Sequence, residues 1–370
     1  LIARDSEDYS DDLGEVLQNI AKQYILAKQK NTATLHRDVS KPFFLYYSLY
    51  DPHVPVPAAY DKNNPPLTPF CSDRRDDVNG RYFCMLERVN RRVNGIIDAL
   101  TGTDTLLPLK DSTYVIFTSD NGIHPIFRDI SGFDGAKKLR GAKSELFEGG
   151  IKVPLIISGP GVIKALNRDP VTTTDIYNTA LGLVGLKTNS ALPDSLDIST
   201  AIKAMPGESL PSINRGISWY SPVAHFARLS ALSTAGFAFR SQNYKLISHF
   251  FPHSFNGVNY YPIELYDMSN DFAEQCNLLS HHVLGSERCS EVNVEEVKAI
   301  YNDISAKAKR ELCGYVDFPM NFLRPLKEGE TAPGYTFYAF QLMPEWESIR
   351  YTVEPTFKTP DIASLCDAKH

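Results

Sequence analysis

The run TYVIFTSDNG, Thr113 to Gly122, places the strongest constraint on the fold. Tyr114 to Phe117 are β-forming residues, bulky enough to be buried on both faces as in a central strand of a parallel sheet. The run then breaks into a carboxylate, an amide and a glycine. Open α/β sheets collect ligands at the carboxyl ends of their strands, which makes Asp120 and Asn121 a candidate site. A strand ending in Asn-Gly is equally an ordinary turn, and the pair alone leaves both readings open.

Strand-like and helix-like patterns alternate on either side of this run. Ser10 and Asp11 read as helix caps, with Leu13, Val16, Leu17, Ile20 and Tyr24 following at helical spacing. PFFLYYSLY (42–50) reads as a buried strand, followed by the proline-stiffened DPHVPVP. Tyr82, Met85, Leu86, Val89, Val93, Ile96, Ile97 and Leu100 trace one helix face. VPLIISGPG reads as another strand and TTTDIYNTALGLVGL as a helix. The alternation predicts an α/β fold with a mainly parallel sheet flanked by helices. Past the turn-rich MPGESLPS (205–212) the character changes to short meandering strands (FAFRSQNYKLISHF, IELYDM), then a helix marked by Val294, Val297, Ile300 and Ile304. Residues 1–205 are thus expected to form a larger α/β unit. Residues 206–370 are expected to form a smaller α+β subdomain with an antiparallel sheet. The tail from Gly314 has no assignable pattern.

Composition narrows the function. A net charge of −6 without a lysine-arginine run gives no basic surface for nucleic acid, and no stretch of about 18 apolar residues offers a membrane span. Six cysteines form no C-x-x-C zinc or redox pattern; disulfides are expected, with buried thiols as the alternative. No N-x-S/T sequon supports a eukaryotic secretory route.

Three further segments carry chemistry-bearing residues. His53 lies just past the 42–50 strand in a loop held by Pro52, Pro55 and Pro57, where a general acid could be held rigidly. Lys143 and Arg140, in the glycine-rich LRGAKSELFEGG, could wrap a sulfate or phosphate. His124 in DNGIHP is a weaker candidate of the same kind. Taken singly, each is also what an ordinary surface loop contains.

Their order and combination resemble the sulfatase family of the alkaline-phosphatase superfamily. KPFFLYYSLYDPHVPVP, YVIFTSDNG, LRGAKSELFEGGIKVPLIISGPG, TTTDIYNTALGLVGL, FRSQNYKLI and ELYDMSNDFAEQCNLL carry the resemblance, from about Tyr9 to Leu279. It implies an alkaline-phosphatase-like fold. It also implies that Asp120 and Asn121 are two ligands of an active-site Ca2+ (or Mg2+). His53 would protonate the leaving oxygen and Lys143 would hold the sulfate; His124 and Arg140 stay weaker substrate-binding candidates, read from the residues alone. The family cleaves sulfate esters with a formylglycine made from the first residue of C/S-x-P-x-R.

That motif is not in this sequence: no cysteine is followed two residues later by proline, and SLPSI (209–213) has Ile213 where arginine is needed. The early aspartate pair of the family has no match either. The resemblance therefore implies the central and C-terminal part of a sulfatase, with the formylglycine on an N-terminal fragment of the same protein. The alternatives are a sulfatase-like binding or structural protein without catalysis, and a phosphate or phosphonate ester hydrolase of the same superfamily. A sulfated sugar and a small aryl sulfate are both open as substrates. The compartment implied is secreted, lysosomal or periplasmic. A parallel sheet without its first strands exposes an edge and apolar faces, so residues 1–370 alone are expected not to fold; a cooperative unfolding transition from that chain by itself would refute this.

Overall fold

The computed structural model describes residues 9–26, 38, 40–53, 78–102, 109–127, 139–192, 194–203, 213, 215–221, 236–249, 253–255, 258–260, 263–279, 282–283 and 293–314. The expected boundary at 205–212 and the tail beyond Gly314 lie mostly or wholly outside these residues.

Helix α1 (Tyr9–Leu26) and helix α2 (Val78–Thr101) form where the apolar spacing predicts them, and they pack on each other. Small residues set the approach: a Cβ on Gly14 would lie 2.1 Å from Nη2 of Arg92. Gln18 Nε2 donates to the Arg92 carbonyl at 3.3 Å. Beneath the helices, Ile25, Ala99 and Leu100 are buried with Phe43, Leu45, Leu109 and Val115 packed against them. Segment 42–50 shows the period-two alternation of a half-buried strand, with Phe44 75% and Tyr46 82% exposed. Among the described residues it joins no strand ladder.

Strand β1 (Val115–Thr118) pairs directly with β2 (Leu155–Ser158), Val115 opposite Ser158 and Thr118 opposite Leu155. This pair is antiparallel, as is every strand pair among the described residues. The mainly parallel sheet expected from the alternation is therefore not found there. Alternating strands and helices imply parallel pairing only when strands on either side of a helix become neighbours in one sheet. Here the 42–50 segment is outside a ladder, and β1 finds the next strand in the chain. All four β1 residues are half-buried rather than enclosed on both faces.

The second half follows the sequence more closely. Strands β3 (Gly216–Ser221), β4 (Gly236–Ser241), β5 (Tyr244–His249) and β8 (Ile263–Asp267) make an antiparallel four-stranded sheet. β6 (His253–Phe255) and β7 (Val258–Tyr260) form a separate hairpin. β9 (Cys276–Asn277) pairs with β10 (His282–Val283). The sheet's two faces differ sharply. Phe237, Phe239, Leu246 and Leu265 meet Val297, Ile304 and Ala308 of the C-terminal helix (Val294–Gly314). The alternate residues Ala238, Ile247 and Tyr266 meet Leu146 and Phe147 of the glycine-rich loop. The same face carries Arg240, Lys245 and Glu264, because strand side chains alternate with period two.

Cys84 and Cys276 are both disulfide-bonded, in line with the expectation of disulfides. Among the described residues no helix is long and apolar enough to cross a membrane.

Candidate active site

The polar tip after β1 is built by short local bonds. Ser119 Oγ donates to the Asn121 carbonyl at 3.1 Å, and the Asn121 amide donates to Asp120 Oδ1. Asp120 Oδ2 and Asn121 Oδ1 remain as hard oxygens at the strand end. These suit Ca2+ or Mg2+ as part of a site. A calcium ion takes about 6–8 oxygens, and among the described residues no three His, Cys, Asp or Glu side chains gather to hold a metal. The donor set fits a hard cation as a partial one.

The Lys143 loop is stitched to this tip through backbone. Lys143 N–H donates to the Ile123 carbonyl at 2.8 Å, and Gly122 N–H donates to the Gly150 carbonyl at 2.8 Å. Glycine is required at Gly122, since a Cβ there would lie 1.8 Å from the Gly149 oxygen. His124 is half-buried, and its Nδ1 accepts the Ile126 N–H at 3.3 Å. Burial pushes the His124 pKa down, and the charges of Lys143 and His53 press the same way. Lys143 and His53 thus both stand near His124, which follows closely on the Asp120–Asn121 tip.

His53 is exposed, with its N–H on the Tyr50 carbonyl at 3.1 Å and its ring 5.8 Å from that of Tyr50. Two residues before it, Asp51 is buried and ion-paired to Arg92. Arg88 Nη1 stands 4.0 Å from the other Asp51 oxygen. Helix α2 thereby anchors the start of the His53 loop. Sequence reasoning missed this pair; the acidic residue directly before Pro-His was the available signal.

Arg140 turns inward. Its guanidinium donates to Tyr266 Oη, lies 3.4 Å from Glu264 Oε1, and stacks 3.9 Å over the Phe147 ring. Beside it, Lys245 is fully buried between Glu274 (2.7 Å) and Glu148 (3.1 Å), while Arg240 reaches Glu148 at 3.5 Å. Glu148 N–H also donates to Glu274 Oε2 at 2.7 Å. None of Glu148, Lys245 and Glu274 stood out in the sequence. A glutamate before Gly-Gly in an apolar setting was the only hint.

Two predictions follow from these buried charges. Asp51→Asn leaves Arg92 and Arg88 without their anion, and is expected to destabilise the intact protein by about 3–5 kcal/mol in urea unfolding. A loss under about 1 kcal/mol would show the pair to be dispensable. Glu274 has its pKa raised by burial from 4.5 to about 7, with nearby Glu148 adding to the shift and Lys245 opposing it. The folded state then holds this proton where the unfolded state has lost it. Stability from this group is full below about pH 4.5 and is lost as pH rises through about 7. The urea midpoint should fall from about pH 5 to about pH 7.5, and Glu274→Gln should flatten that slope; equal slopes in both proteins would refute the assignment.

Residues 5–186 match the sulfatase family model. A sulfatase of Formosa agariphila is 29% identical over 65% of this chain and 42% of its own length. The N-acetylgalactosamine-6-sulfatase of Canis lupus familiaris is 32% identical over 44% of this chain and 28% of its own. An arylsulfatase of Hemicentrotus pulcherrimus is 32% identical over 39% and 23% respectively. The chain thus spans less than half the length of these relatives. The crystal structure of Ps i-CgsB superimposes with a TM-score of 0.54 at 20% identity, covering 83% of this chain and 55% of that one. Motif order and family match agree: residues 5–186 are a sulfatase-family domain.

Proposed function

We propose that this chain supplies the substrate-holding half of a sulfuric ester hydrolase. The observation that carries the reading is the convergence of Lys143, His53 and His124 beside the Asp120–Asn121 tip. The Lys143 ammonium beside two imidazoles can take an anion, and the adjacent hard oxygens can take a cation. A sulfate ester bridging the two satisfies both.

In this reading the Lys143 ammonium faces the sulfuryl oxygens as a point charge and offsets the charge that builds on them in the transition state. His53, held by the Asp51 anchor, gives its proton to the ester oxygen as the S–O bond breaks, so the product leaves as a neutral alcohol. His124, with Nδ1 occupied by a backbone donor, offers Nε2–H to the same anion. Asp120 and Asn121 contribute oxygens to a divalent cation, Ca2+ or Mg2+. When present, that cation and a formylglycine hydrate on an N-terminal segment would supply charge neutralisation and the nucleophilic hydroxyl.

The exposed Phe44 and Tyr46 support an N-terminal companion, because a strand segment without a ladder is what another strand would cover. Pairing there would complete the expected parallel sheet of residues 1–205, leaving 206–370 as the smaller subdomain. The names of the canine and sea-urchin relatives support a sulfated sugar or an aryl sulfate as substrate. The disulfides of Cys84 and Cys276 support an oxidising compartment: secreted, lysosomal or periplasmic.

The test is hydrolysis of an aryl sulfate and of the matching aryl phosphate by the intact protein. The sulfate should be the better substrate, and Lys143→Ala should lower kcat/KM by about 100-fold or more. A preference for the phosphate, or no effect of Lys143→Ala, would defeat the reading.

A further inference from the structure

We propose that Glu148, Glu274 and Lys245 are positioning residues, which fix Lys143 and the Asp120–Asn121 tip relative to each other by clamping the glycine-rich loop onto the four-stranded sheet. The inference rests on the proposed function for the meaning of that geometry, but the clamp itself is a matter of contacts.

Both ends of the loop are pinned to one face of the sheet. At its start, Arg140 reaches Glu264 and Tyr266 of β8. At its end, the Glu148 carboxylate takes Lys245 of β5 at 3.1 Å and Arg240 of β4 at 3.5 Å. Glu274, from the turn after β8, closes the cluster on Lys245 at 2.7 Å and on the Glu148 N–H at 2.7 Å. Between the pinned ends, Lys143 bulges toward the tip and binds the Ile123 carbonyl through its N–H.

Among the described residues the three clamp side chains make no hydrogen bond or ion pair with Lys143, Asp120 or Asn121, so their influence passes through backbone. Glu148 is followed by Gly149, whose N–H binds the Arg140 carbonyl at 2.7 Å, and Gly150, whose carbonyl takes the Gly122 N–H at 2.8 Å. The packing is tight along the whole path. A Cβ on Gly149 would lie 2.2 Å from the Gly141 oxygen, and one on Gly150 2.2 Å from the Glu145 oxygen. Close-packed backbone transmits a displacement rather than absorbing it. Glu274 also adopts a left-handed backbone, with φ 54°, which is strained for a residue bearing a Cβ. That strain is kept where the side chain must enter the cluster.

A purely structural role would lower stability everywhere and leave the tip unchanged in the folded molecule. The discriminating measurement is amide hydrogen exchange, followed by peptide mass spectrometry on the intact protein under native conditions. Glu274→Gln keeps the side chain's shape but weakens its hold on Lys245. Lys245→Met/Glu274→Gln removes both members of a pair and leaves Arg240 on Glu148, so it stays foldable where Lys245→Met alone would strand the buried Glu274 carboxyl. In both variants, peptides covering 120–124 and 139–150 should exchange about tenfold faster, while the Val294–Gly314 helix stays as in the parent. Faster exchange confined to 263–279, or spread evenly over all peptides, would overturn the proposal. Aryl sulfate hydrolysis is followed in parallel, with kcat expected to fall about tenfold at little-changed KM. An inactive parent protein would defeat the proposed function alone, because the exchange result still judges the clamp.

Discussion

A lysine with no exposed surface, held between two glutamates, is the constraint on which the arrangement of this protein depends. Burying an ammonium and two carboxylates is costly, and breaking such a cluster costs more than forming it returns. The cluster therefore specifies more than it stabilises. Lys245 belongs to the four-stranded sheet, Glu148 to the glycine-rich loop and Glu274 to the turn after β8. Only one relative placement of these three segments satisfies all the charges. A second cation, Arg240, lies 3.5 Å from Glu148, while burial makes Glu274 hold its proton more tightly than usual.

The sheet serves two purposes through its two faces. One is apolar and packs Phe237, Phe239, Leu246 and Leu265 beneath a helix, as an ordinary core. The other mixes Ala238, Ile247 and Tyr266 with Arg240, Lys245 and Glu264, and it receives the loop that bears Lys143. An apolar loop would slide on an apolar face. Charged partners at fixed registers give the loop one seat, and the glycines let it come close enough to bond to the tip after β1. The half of the molecule remote from the chemistry thus fixes the geometry of the half that would perform it.

Asp51 repeats the device on a smaller scale. A buried carboxylate two residues from His53 is gripped by arginines of the long helix Val78–Thr101, which in turn packs against the first helix through Gly14. His53 and Lys143 are each carried on a loop with a buried ionic anchor. Polar function at the surface is held in place by charge underneath.

Much of this was legible from residue order. The helices at Tyr9–Leu26, Val78–Thr101 and Val294–Gly314, and the meander of β4, β5 and β8, follow from apolar spacing that repeats every few residues. The strand that ends at the polar Asp120–Asn121 tip was anticipated from residue order. Other features were not. The direction of β1 against β2, and the absence of 42–50 from any ladder among the described residues, depend on which strands become neighbours. Periodicity within a strand does not encode that. The inward turn of Arg140 and the partners of Lys245 were hidden for the same reason: Glu148 lies 97 residues from Lys245 and 126 from Glu274. Local pattern sets what each segment is, because backbone geometry and solvent act on a few residues at a time. Which buried charges meet is settled only when distant segments share one water-free space.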